Sequence, residues 1–162
     1  MPIVYTVEDL TVVVGATDPT SEINTAGSPA ISMSGTTGDQ TLINYADIDT
    51  TGSYYAITVN TTSGDISITD GGYINAYAAG YSSVVAINAE SYDGAVDVDV
   101  TGTAAIVVYS SSGEGTGVYA YSQTGTVDVY SAGSIYVSTN GNTYGIYAAS
   151  DGSLISQGSR GL

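Results

Sequence analysis

The chain has no cysteine, no histidine, no tryptophan and no phenylalanine, and Arg160 is its one basic residue. Without cysteine there is no disulfide scaffold and no thiolate metal site. Without histidine or cysteine the common nucleophile–base triads cannot be built, and the sequence reads as a non-enzyme. A single cation cannot neutralise a phosphate backbone, which argues against nucleic-acid binding. It argues equally against anionic membrane surfaces and against processing of acidic polysaccharides. No apolar run approaches the ~20 residues of a transmembrane helix, so membrane insertion is not expected. The opening Met1-Pro2-Ile3-Val4-Tyr5 lacks the basic and apolar regions of a signal peptide. Helical stripes are missing as well, because Gly and Ser interrupt every window of helix length.

What is present is equally uneven. The 162 residues include 21 Gly, 15 Tyr and 16 Asp or Glu, for a formal charge of −15. At 43% hydrophobic the chain is too apolar for disorder to be the default.

From Ala56 to Ile155 the sequence repeats itself. Ala56-Ile57-Thr58-Val59 returns as Ala86-Ile87-Asn88-Ala89, Gly117-Val118-Tyr119-Ala120 and Gly145-Ile146-Tyr147-Ala148, with a weaker earlier copy at Ala30-Ile31-Ser32-Met33. The starts at 30, 56, 86, 117 and 145 are 26, 30, 31 and 28 residues apart. A second alternating run follows each clear copy (Ile66-Ser67-Ile68, Val96-Asp97-Val98, Val127-Asp128-Val129). A third follows that (Ile74-Asn75-Ala76, Ile106-Val107-Val108, Ile135-Tyr136-Val137). Units of this period cannot bury an apolar face alone and must stack. The reading is all-β: a right-handed parallel β-helix, or β-solenoid, of about five three-sided coils. Strand alternation points Ile57, Val59, Ile66, Ile68, Ile74 and their counterparts inward.

Residues 30–162 are read as the solenoid and 1–29 as an N-terminal cap or exchangeable β arm. Ile3 to Val7 and Leu10 to Val14 are β-rich, and continuous Val12-Val13-Val14 suggests a strand buried on both faces. In the weak coil, Leu42, Ile43 and Ile48 do not keep the register of the later coils, as expected of a terminal repeat. Asp65 and Asp70 flank a strand and read as turn residues.

Outward positions should stack too. They give a Tyr pair at Tyr119 and Tyr147, with Tyr136 on another strand, and an Asp pair at Asp97 and Asp128 with Asp99 alongside. The tyrosines are candidates for surface binding, since phenol rings are apolar with a polar tip. The aspartates are candidates for calcium, a hard cation that takes carboxylate oxygens, although a solvated acidic face is the plainer reading. No cofactor is required.

The phrases Gly117-Val118-Tyr119-Ala120, Gly125-Thr126-Val127-Asp128-Val129, Gly133-Ser134-Ile135 and Gly145-Ile146-Tyr147-Ala148 resemble the passenger domains of bacterial autotransporters and related β-helical surface proteins. The resemblance covers about residues 54 to 157. It implies an extracellular β-helix at a bacterial cell surface, with no C-terminal barrel expected within these 162 residues. The expected function is structural: a solenoid that joins head-to-tail into a filament, or an adhesin stalk. Unpaired edge strands template pairing with another chain, and the last coil carries only Asp151 to block it. Ile3, Val4, Tyr5, Val7, Leu10, Val12 and Val14 on one side, and Tyr144, Ile146, Leu154 and Ile155 on the other, are the expected self-association residues, by stacking or strand addition. The alternatives are a glycan- or host-binding module using the Tyr face and, with least support, an enzyme acting on polysaccharide.

Overall fold

The computed structural model describes residues 1–16, 18, 20–79, 83–152 and 155–158, the last four by backbone alone. Leu154 and Arg160 lie outside the described residues. Every element is a strand, and the strands follow one another in threes. The first turn is β1 (Ile3–Thr6), β2 (Leu10–Val14) and β3 (Glu22–Ala26); the second is β4 (Ile31–Thr37), β5 (Gln40–Asn44) and β6 (Asp47–Thr51). The third is β7 (Tyr55–Ser63), β8 (Ile66–Asp70) and β9 (Tyr73–Ala78), and the fourth β10 (Val84–Ser91), β11 (Val96–Val100) and β12 (Ala105–Ser110). Then come β13 (Gly115–Ser122), β14 (Val127–Ser131) and β15 (Ser134–Thr139), and finally β16 (Thr143–Ser150) and β17 (Ile155–Gly158).

Each strand pairs in parallel with the strand one turn away. The result is three sheets: β1-β4-β7-β10-β13-β16, β2-β5-β8-β11-β14-β17 and β3-β6-β9-β12-β15. This is the parallel solenoid the repeats predicted, of about five turns and without helix among the described residues.

Inward rows from all three sheets form the core. In the first sheet Ile3, Ile31, Ile57, Ile87, Val118 and Ile146 lie in one register, and the middle members are fully buried. The third sheet supplies Ile23, Ile48, Ile74, Ile106 and Ile135 in the same way. β-Branched side chains suit this stacking because they fit the pleated surface and lose little rotamer freedom.

The weak coil corrects the sequence reading. Leu42 pairs with Ile68 and Ile48 with Ile74, so these residues keep the later register, and both are buried. Polar residues in core rows had hidden this: Gln40 is buried opposite Ile66, and Asn44 is buried opposite Asp70. Asp70 is correspondingly the buried last residue of β8, not an open turn residue. The strands β1, β2 and β3 pair with β4, β5 and β6 of the same chain, and Val13 is 49% exposed while Val12 is buried. β2 therefore has one wet face, unlike the strand buried on both sides that its Val run suggested.

The corner between the first and second sheets is built by stacked glycines and serines. A Cβ on Gly64, Gly94 or Gly125 would overlap the carbonyl oxygen of the glycine one turn below (Gly38, Gly64 and Gly94). Beside them, Ser122 Oγ donates to the Gly94 carbonyl at 2.7 Å and accepts from the Gly125 N–H at 2.9 Å. Ser91 and Ser150 donate in the same way to Gly64 and Gly125. Asp side chains cap the same corner: Asp39 accepts the Asp65 N–H and Asp65 accepts that of Ala95.

Candidate functional site

The outer face of the first sheet changes character along the solenoid. In the register of Thr58, the outward residues run Ser32, Thr58, Asn88, Tyr119 and Tyr147. The lower part of the row is small and polar, with Asn88 Nδ2 donating to Thr58 Oγ1 at 3.4 Å. At the top, Tyr119 and Tyr147 stack with centroids 5.1 Å apart and planes within 1°, and Tyr144 meets Tyr147 edge-on at 5.7 Å. The rung spacing of ~4.8 Å places in-register rings at stacking distance without further adjustment.

Where small residues meet rings, two hollows open. One, of about 210 Å³, is lined by Tyr54, Tyr55, Val85, Asn88, Glu90 and Tyr119. The other, of about 240 Å³, shares Tyr54, Val85 and Tyr119 and adds Glu114, Tyr144 and Tyr147. The two are therefore contiguous, with one carboxylate bordering each. Tyr54 and Tyr55 meet edge-on at 4.7 Å, which fixes their rings at the entrance to the first sheet. Partial burial raises the Tyr119 phenol, with the Glu90 carboxylate and Tyr147 acting in the same direction. The phenol of Tyr121 donates to Asp151 Oδ2 at 2.7 Å, and this bond pushes its pKa up to about 12.

Of the surface-binding candidates, Tyr119 and Tyr147 come together and Tyr136 does not. Tyr136 sits on the third sheet, 63% exposed, in register with Val107. Sequence reasoning missed Tyr54, Tyr55, Glu90 and Glu114. They lie before or after the repeated tetrad, although Tyr54 and Tyr55 immediately precede Ala56 and were there to be read.

The acidic candidates form a pair rather than a cage. Asp97 and Asp128 are register partners on β11 and β14, while Asp99 pairs with Tyr130. Loss of water, then the Asp128 and Asp99 charges, raise the Asp97 carboxyl. Among the described residues no group of three or more His, Cys, Asp or Glu side chains gathers to hold a metal ion.

The self-association candidates lie on the two end turns. Ile3, Leu10, Val14 and Ile146 are half-buried, whereas their counterparts inside the stack are buried. Val4 and Val7 are exposed at 64% and 51%, and Tyr5 and Tyr144 are exposed as well, while Val12 is buried. Ile155 is described by its backbone, which pairs with Val127.

No protein-family model, curated protein or solved structure matches the chain. The parallel solenoid rests on the geometry above, and the autotransporter resemblance gains no support from these comparisons.

Proposed function

We propose that the chain is a structural β-solenoid of a bacterial cell surface that joins head-to-tail into an extracellular filament or serves as an adhesin stalk, in the manner of autotransporter passenger domains. One observation carries the reading: Ile3 and Ile146 occupy opposite ends of the same inward row, and each is only half-buried. A second copy laid on the end would set Ile3 above Ile146 and extend the isoleucine row, burying both. Burying one such side chain fully contributes ~1.5–3 kcal/mol, and edge N–H and C=O groups find partners in the same step. Such a contact is heterologous and does not close, so its product is a fibre. The charge of −15 opposes it at low ionic strength, and added salt favours it. Light scattering tests the contact: Ile3→Lys and Ile146→Lys should each block growth, and unhindered growth of both variants would refute it.

A second reading is favoured by the two hollows. Tyrosine rings with one amide, Asn88, around a sugar-sized depression suit a glycan- or host-binding face, which a stalk or filament would display repeatedly. Replacing Tyr119 and Tyr147 by Ser should then abolish sugar binding and leave the fold and any polymerisation intact.

A further inference from the structure

We infer that the paired hollows on the first sheet bind a glycan carrying free amino groups, such as a glucosamine polymer, with Glu90 and Glu114 as its ammonium partners. The inference rests on the glycan-binding reading and names its substrate class.

Tyr55 belongs to β7 and Tyr119 to β13, and the strand between them, β10, presents Val85 and Asn88. Tyr55 is in register with Val85 and Tyr119 with Asn88, so the two stand two rungs (~9.6 Å) apart across the sheet and three residues apart along it. Both tyrosines border the first hollow above the buried Val85 and Asn88, so a saturated six-membered ring entering it meets phenol rings with its C–H faces. Tyr54 and Tyr119 border both hollows. A ligand of two linked rings therefore spans them with the same tyrosines at the junction.

Charge selects the ligand. Glu90 borders the first hollow and Glu114 the second. Asn142 donates to Glu114 Oε1 at 2.7 Å, which steadies that carboxylate. The chain has one Lys or Arg in total, and among the described residues no side-chain cation faces either group. Uronic-acid polymers are thus repelled twice, by these carboxylates and by the chain's overall potential. A neutral sugar leaves two carboxylates without a counter-charge. An ammonium at each hollow gains a charge-assisted hydrogen bond and the attraction of the ring faces beside it.

Calorimetric titration of the full chain at low ionic strength tests this with four probes: a glucosamine oligomer, the N-acetylated oligomer of equal length, a galacturonic-acid oligomer and putrescine. The glucosamine oligomer should bind at least ~10-fold more tightly than the N-acetylated one, a ratio set by one charge-assisted bond. Glu90→Gln and Glu114→Gln should each reduce that preference, Tyr119→Ser should weaken all sugar binding, and Tyr73→Ser on the third sheet should change nothing. Equal binding of the two sugar oligomers would overturn the amino-group inference while leaving the glycan reading standing. Binding of neither would overturn both. Putrescine binding as tightly as the glucosamine oligomer would remove the role of the sugar rings and overturn the inference from the other side.

Discussion

Asn44 donates through Nδ2 to Oδ1 of Asp70, 2.8 Å away and one turn along the solenoid, and neither side chain is exposed. The same amide donates to the Ala46 carbonyl, while Asn44 Oδ1 accepts the Ala46 N–H, so the Asn is held on both sides. Asp70 Oδ2 has no hydrogen-bond partner among the described residues.

This half-satisfied carboxyl makes stability depend on pH. Burial pushes the Asp70 pKa up to about 7, against the pull of Asn44 and the Gly72 N–H and with help from the Asp47 charge. The folded protein then holds a proton that the unfolded chain releases near pH ~4. The stabilising effect of that proton is complete below pH ~4, is lost as pH rises to about 7, and stays lost above it. Its ceiling is on the order of 4 kcal/mol. Asp70→Asn keeps an acceptor for Asn44 and removes the titration. Its urea midpoint should exceed that of the wild type at pH 8 and approach it at pH 4.

The glycine corner predicts a sharp positional contrast. Gly94→Ala drives a methyl into the Gly64 carbonyl and should cost ~3 kcal/mol or more. Gly102→Ala meets nothing nearer than the Ala132 Cβ at 3.8 Å and should be near neutral. Ser122→Ala strands the Gly94 carbonyl and the Gly125 N–H and should cost ~1–3 kcal/mol. Thermal unfolding of the three variants ranks them.

The Asp97–Asp128 pair is a repulsive cross-strand contact. Asp97→Asn should raise Tm at low salt and lose that advantage at high salt, as screening does the same work. Sodium and calcium at matched ionic strength should then stabilise the wild type equally. A gain specific to calcium and abolished by Asp97→Asn would instead reveal a cation site.

The sequence was most legible where core rows are uniformly apolar. From Ala56 onward, Ile57, Ile66 and Ile74 announce three strands and their successors repeat them. Before Ala56, Gln40 and Asn44 occupy inward positions, so the alternation that marks a buried strand is broken although the backbone register continues. Long-range pairing overrode the local pattern there, because a turn stacked on a regular neighbour inherits its register. The binding face was half legible for a related reason. Tyr119 and Tyr147 recur with the repeat, whereas Glu90 and Glu114 reach the same face from positions whose counterparts in other turns are not acidic. Ser91, Ser122 and Ser150 did carry a periodic signal, but their role depends on glycine carbonyls one turn away.

On the proposed function, the end turns join copies of the chain. Negative-stain electron microscopy of the purified protein, in calcium and then in chelator, tests it most directly. Long, thin, unbranched fibres one solenoid wide are expected in both conditions at moderate salt. Short single rods in every condition, at concentrations where light scattering also shows no growth, would contradict it.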